Sequence, residues 1–213
     1  MEQENRNVCA KMSRGKIMLR TVLKMYITLI PPILSGMANM AFCKSDLFKS
    51  FKKPIDGGRK FVDGKRVFGE NKTWKGVIGY LLFNMIFYVI WGMICNILKI
   101  EHLNFFYYQH SNTQQFNILI GLLLGIAYSL FELPNSFIKR RMDIVPGKTM
   151  NGPQKVFFIF LDQADSIFGL ALVVWMFYDL GLAMYITYVL IGAFTHIIVN
   201  IFLYKIKLRK NMF

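Results

Sequence analysis

Five stretches of this chain stay apolar long enough to cross a bilayer, and polar, mostly basic sequence separates them. They cover residues 25–43, 76–98, 116–133, 156–178 and 180–204, each close to the roughly 20 residues a membrane helix needs. The first and second carry no charge, and the third holds only Glu132, at its end. The fifth is uncharged apart from His196. Pro31-Pro32 predicts a kink in the first, because each proline removes a helix donor. Almost nothing joins the fourth and fifth around Asp179, which predicts a tight antiparallel hairpin. The expected fold is an all-α integral membrane protein of about five transmembrane helices. A basic segment over 1–24 precedes a single membrane-embedded domain over 25–213.

The fourth stretch breaks the apolar pattern. It reads VFFIFLDQADSIFGLALVVWMFY, with Asp162 and Asp165 inside an otherwise ordinary membrane helix. An aspartate at the bilayer centre costs roughly 2.5–3.5 kcal/mol on insertion scales. Keeping two implies a use for them. Spacing i, i+3 sets both side chains on one face, with Cβ atoms about 5–6 Å apart. That arrangement suits two carboxylates holding a divalent cation.

Composition agrees with the pattern. A mean hydropathy of +0.38 is too high for an ordinary soluble domain. The formal charge of +14 is spread unevenly. Ten Lys or Arg lie over 44–75, five over 139–155 and four in the tail from Lys205, against one over 99–115 and six before residue 25. Five spans place the first loop, third loop and C-terminus on one side, which then holds nineteen basic residues against seven. The positive-inside rule predicts that this side is the cytosol and that the N-terminus is outside. The basic N-terminal segment opposes this locally. A surface-lying amphipathic helix is the other reading for it. The first apolar run is too long for a signal-peptide core and is read as a retained helix. Cys9, Cys43 and Cys95 form neither a disulfide framework nor a zinc pattern. The expected address is the cell membrane, with multiple passes. No nucleic-acid partner is expected, and oligomeric state is unreadable.

The two cytosolic loops are more than topology signals. In the first, Gly57, Gly58, Gly64, Gly69 and Gly76 interleave with Lys60, Lys65, Arg66, Lys72 and Lys75, and Asp56 and Asp63 sit among them. Attraction to anionic headgroups requires only the cations. A loop that folds its backbone closely around phosphates uses the glycines as well. The run over 69–73 lacks the glycines and the leading strand of a P-loop, and the sequon at Asn71 has no use on the cytosolic side. In the third loop, Lys139, Arg140 and Arg141 follow Asn135. Snorkelling would explain them singly. Two cation-rich loops flanking a helix with paired acids point to phosphate chemistry with a metal. Glu132 at a span end reads as solvated, and His196 as a packed core residue.

These blocks resemble the CDP-archaeol synthase family, a branch of the wider phosphatidate cytidylyltransferase group. The matching residues are Pro54-Ile55-Asp56, Asp63-Gly64-Lys65-Arg66, Lys72-Thr73-Trp74-Lys75-Gly76, Glu132 through Phe137, Lys139-Arg140-Arg141, Pro146-Gly147 and Leu161 through Asp165. The resemblance implies an enzyme that joins CTP to a lipid phosphate, yielding a CDP-lipid and pyrophosphate with Mg²⁺. The lipid phosphate is either an archaeal-type ether lipid or phosphatidic acid. It further implies that Asp162 and Asp165 bind the metal, and that Lys72, Lys139 and Arg140 join them in catalysis. Lys65, Arg66, Lys72, Thr73, Lys75, Arg141 and Asn135 would bind the nucleotide and phosphates, with Asp56 and Asp63 at family positions. Residues 1–20, Asp143 and Lys148 depart from the family pattern. The rival CDP-alcohol phosphotransferases carry D-G-x-x-A-R after the first acids, whereas Asp165 here leads into Ser166-Ile167-Phe168-Gly169. A small ion or proton carrier using the aspartate pair is the non-enzymatic alternative. It leaves the glycine-and-lysine loops without purpose.

Overall fold

The computed structural model describes residues 2–148, 152–153 and 155–208, with side chains from Lys16 onward. Most of them lie in five long helices: α1 (Glu2–Lys44), α2 (Trp74–Leu98), α3 (Gln114–Arg141), α4 (Lys155–Phe177) and α5 (Gly181–Lys205). Among the described residues there is no strand, only isolated bridges between Pro54 and Thr73 and between Lys60 and Arg66. All five helices are long and apolar enough to span. The protein is therefore a multi-pass membrane protein, as the hydropathy pattern predicts. Arg209 and Lys210 of the basic tail lie outside the described residues.

The prolines of α1 explain how it packs. Pro31 and Pro32 have no N–H, so the carbonyls of Ile27 and Thr28 lose their i+4 donors. Two side chains of α2 replace them. Trp91 Nε1 donates to Ile27 O at 2.9 Å, and Tyr88 OH donates to Thr28 O at 2.7 Å. Tyr88 and Trp91 are three residues apart and so share a face. The helix continues unbroken through both prolines. At its N-terminal end α1 runs continuously from Glu2 through the basic segment into the apolar stretch.

Small residues set the other contacts, as membrane helix packing requires. A Cβ on Gly121 of α3 would stand 2.6 Å from Met85 Cα on α2. One on Gly169 of α4 would stand 2.6 Å from the Ala127 carbonyl on α3. The α4–α5 hairpin forms as predicted. It turns through Gly181 at φ 62°, where Asp179 accepts from the Gly181 N–H.

Helix α3 is longer than its apolar stretch. The apolar stretch ends at Leu133, just before Pro134, yet the helix passes through that proline and ends at Arg141. This continuation places Tyr128, Glu132, Asn135 and Lys139 at intervals of four, three and four residues. They form one polar stripe on the face turned to α4.

Candidate active site

The stripe on α3 meets the aspartates of α4. Asp162 lies seven residues inside α4, about 10 Å from the helix start at the helical rise. Asn135 Nδ2 donates to both carboxylates, at 2.7 Å to Asp162 Oδ1 and 2.8 Å to Asp165 Oδ2. Lys139 Nζ lies 2.9 and 2.7 Å from the two oxygens of Asp162. Lys72, arriving from the first loop, forms an ion pair with Glu132. Burial opposes the charge on Lys72, but Glu132, Asp165 and Asp162 together raise its pKa above the ordinary lysine value. Three carboxylates and two ammonium groups thus share one enclosure.

The enclosure is a cavity of about 270 Å³. Besides these groups, the first loop lines it with Phe68 and Asn71, and the third loop with Pro146, Gly147 and Lys148. Arg140 also lines it, and its buried Nε has no hydrogen-bond partner. On the membrane side the cavity meets a second, apolar cleft between α1 and α5, floored by Tyr80, Tyr128, Ile167 and Leu170. Met40, Tyr128, His196 and Asn200 line both.

The remaining residues singled out in the sequence lie elsewhere. Asp56 is buried at the centre of the first loop. It accepts from the backbone N–H groups of Gly58, Phe68 and Gly69 at 2.9–3.1 Å and pairs with Arg66 at 2.8 Å. Gly58 and Gly69 have φ of 81° and 108°, conformations that favour glycine. The loop therefore wraps an internal carboxylate. Burial disfavours that charge, but the Gly58 and Gly69 N–H groups, Arg66 and the Phe68 N–H outweigh it and hold Asp56 at about 2.

Asp63 pairs with Arg141 at 2.7 Å, and Lys65 pairs with Asp143 at 2.6 Å. Arg141 donates to the Arg66 carbonyl and sits over the rings of Phe61 and Phe137. These contacts fasten the first loop to the end of α3, and they tie up Lys65, Arg66 and Arg141 outside the cavity. Thr73 caps α2, accepting from the Gly76 N–H at 3.2 Å. Lys75 is buried, donates to Ser45 O at 2.7 Å and lies over the Phe42 ring. Of the sequence-derived set, Lys72, Asn135, Lys139, Arg140, Asp162 and Asp165 meet in the cavity.

Sequence reasoning passed over Glu132, His196 and Asn200. Glu132 was readable from its spacing: it lies three residues before Asn135 and seven before Lys139, on one helical face. Its position at an apparent span end concealed this. The predicted hairpin sets α5 alongside α4, but no sequence signal says which face of α5 meets the aspartates.

The donor set fits a hard cation. Carboxylate oxygens of Asp162 and Asp165 converge on Asn135, whose buried Oδ1 has no hydrogen-bond partner. All are oxygen donors of the kind Mg²⁺ prefers. Among the described residues no group of three acidic, histidine or cysteine side chains could hold a metal ion. Mg²⁺ usually takes one or two carboxylates and completes its shell with water and substrate phosphate.

Comparison with known proteins gives a consistent result. A family model described as CarS-like, CDP-archaeol synthase, matches residues 18–213. The chain is 32% identical over 162 residues to a CDP-archaeol synthase of Methanococcus aeolicus, covering 73% of this chain and 80% of that one. It is 29% identical over 191 residues to one of Pyrobaculum islandicum, covering 89% and 98%. A solved structure described as an intramembrane enzyme for archaeal membrane lipids biosynthesis superposes with a TM-score of 0.56 at 19% identity. That match covers 83% of this chain and 92% of the other.

Proposed function

Because the chain belongs to the CDP-archaeol synthase family, we propose that it is a membrane cytidylyltransferase whose substrates are CTP and an ether-linked lipid phosphate. The observation that carries the reading is the cavity. It gathers paired carboxylates with Lys72, Lys139 and Arg140, and it adjoins an apolar cleft. A polyanion from the aqueous side and a phosphate on a lipid could meet there. The names of the relatives support an archaeal-type ether lipid over phosphatidic acid.

In the proposed reaction an oxygen of the lipid phosphate attacks the α-phosphorus of CTP. A new P–O bond forms as the bond to the β-phosphate oxygen breaks, and pyrophosphate leaves. Both reactants are anionic, so catalysis is chiefly positioning and charge neutralisation. Lys72 and Arg140 are placed to receive phosphate oxygens as charge-assisted donors. Asn135 holds the two carboxylates in register, and Lys139 braces Asp162. No general base is required, since the attacking phosphate is already ionised at neutral pH. Asp162 and Asp165, with Asn135 Oδ1 beside them, would hold Mg²⁺, which neutralises phosphate charge when bound.

The test is CTP-dependent pyrophosphate release by the purified protein in detergent with ether lipid phosphate and Mg²⁺. Wild type should turn over, whereas Asp162→Asn and Asp165→Asn should insert normally and not turn over. Near-wild-type turnover in either variant across a Mg²⁺ series would refute the carboxylate assignment. No release from wild type would favour the aspartate pair as an ion relay.

A further inference from the structure

Helix α5 carries polar side chains that the chemistry above does not use. Thr195, His196 and Asn200 interrupt an otherwise apolar second half. Polar groups at such depth are costly unless bonded. Thr195 Oγ1 is satisfied by Ile191 O at 2.8 Å. Asn200 is 3% exposed, and its Nδ2 donates to Oε1 of Gln163 on α4, itself 1% exposed. His196 Nδ1 lies 3.1 Å from the Gln163 carbonyl. Gln163 thus fixes the orientation of Asn200.

Position gives these residues a further part. The carboxylate cavity and the apolar cleft meet at Met40, Tyr128, His196 and Asn200. A lipid phosphate with its phosphate among the cations and its tails in the cleft sets a particular piece at that junction. The piece is the glycerol linker, whose ether oxygens accept hydrogen bonds and cannot donate. Met40 has no donor. Tyr128 lies four residues before Glu132 on the same helical face, where that carboxylate competes for its hydroxyl. With Nδ1–H donating to the Gln163 carbonyl, an uncharged His196 ring offers only an acceptor at Nε2, the wrong polarity for an ether oxygen. An amide nitrogen carries two hydrogens, and the bond from Asn200 to Gln163 uses one.

We propose that Asn200 recognises the linker of the lipid substrate, its second N–H donating to an ether oxygen while Gln163 holds the amide in place. The inference rests on the cytidylyltransferase reading for the identity of the lipid. Its test therefore reads binding alone, in detergent and without CTP. Two probes are compared: a dialkylglycerol ether phosphate, and its carba analogue in which methylene replaces each linker oxygen. Wild type is expected to prefer the ether lipid by about three- to tenfold, the scale of one neutral hydrogen bond.

Asn200→Leu and Asn200→Ala should each abolish that preference and leave carba-analogue affinity within about twofold of wild type, as expected where only this donor is lost. Either variant suffices if the other does not accumulate. A preference retained in the variants would overturn the proposal. Equal weakening toward both probes would also overturn it, since Asn200 would then only prop α4 through Gln163. The two readings fail separately. Lipid discrimination without CTP-dependent pyrophosphate release would refute the reaction and keep the linker contact. Turnover without discrimination would do the reverse.

Discussion

Adjacent cations in this chain have unlike surroundings, and Arg140 and Arg141 illustrate it. Arg140 lines the carboxylate cavity with a buried, unpartnered Nε. Arg141 points away and is held by Asp63, the Arg66 carbonyl and two aromatic rings. Arg140→Ala should therefore lower kcat/KM by roughly 10- to 150-fold, the worth of a charge-assisted hydrogen bond to substrate, without shifting the unfolding temperature. Arg141→Ala should instead lower the unfolding temperature and weaken both substrates together, because it frees the first loop from α3. A two-substrate kinetic matrix with thermal unfolding of both variants separates the cases. Asp56 gives a pH signature. Its folded pKa of about 2 lies below the ordinary 3.8, so its stabilising charge is complete above about pH 4. That contribution is lost as pH falls through about 2. Pepsin digestion between these limits should cut the wild-type loop only at the acid end, and should cut Asp56→Asn throughout.

Helix α1 is held by a backbone problem solved on its neighbour, α2. The prolines of α1 free two carbonyls inside the membrane, where no water can satisfy them. Tyr88 and Trp91 of α2 supply the donors. Tyr88→Phe and Trp91→Phe should each cost about 1–3 kcal/mol, the price of a buried acceptor left unmet. Unfolding midpoints in detergent should show losses that approach additivity, since the two carbonyls are separate acceptors. A loss well under 0.5 kcal/mol in both, the low end of a net hydrogen bond, would show that α1 satisfies itself locally. In α3 the proline is tolerated without ending the helix, and function depends on that. Were the helix to stop at Leu133, Asn135 and Lys139 would leave the face that carries Glu132, and the aspartates would lose both partners.

Across the whole molecule, one end holds the larger share of the basic residues, nineteen against seven. The first loop, the end of α3 and the start of α4 converge there, joined by the Lys65–Asp143 and Asp63–Arg141 pairs. The opposite end is closed by aromatic packing, with Phe105 N–H donating to Thr28 Oγ1 of α1. If the charged end faces the cytosol, single cysteines at Lys60 and Lys148, on a background lacking Cys9, Cys43 and Cys95, should label only from that side. A cysteine at Tyr108, exposed at the far end, should label only from outside. Labelling of positions 60 and 148 from opposite faces would refute a single polar site.

Hydropathy alone determined the number of spans and the α4–α5 hairpin, because the lengths of apolar runs are set by bilayer thickness. The i, i+3 spacing alone put Asp162 and Asp165 on one face, because helical periodicity is local. Residue types alone could not say which cations serve the carboxylates. Lys72 and Lys139 reach the cavity, while Lys65, Lys75 and Arg141 bond elsewhere. That division arises from contacts between segments 70 or more residues apart for Lys65 and Arg141, and no local pattern records them. The same holds for Asp56, whose carboxylate and neighbouring glycines read as a phosphate loop. In the structure they form the loop's own core, since a buried carboxylate and a bound phosphate call for the same turned-in N–H groups. Tertiary structure also decided the part of α5. Its Asn200 becomes a polar contact only because α5 packs on α4 at Gln163, beside the pair of acids.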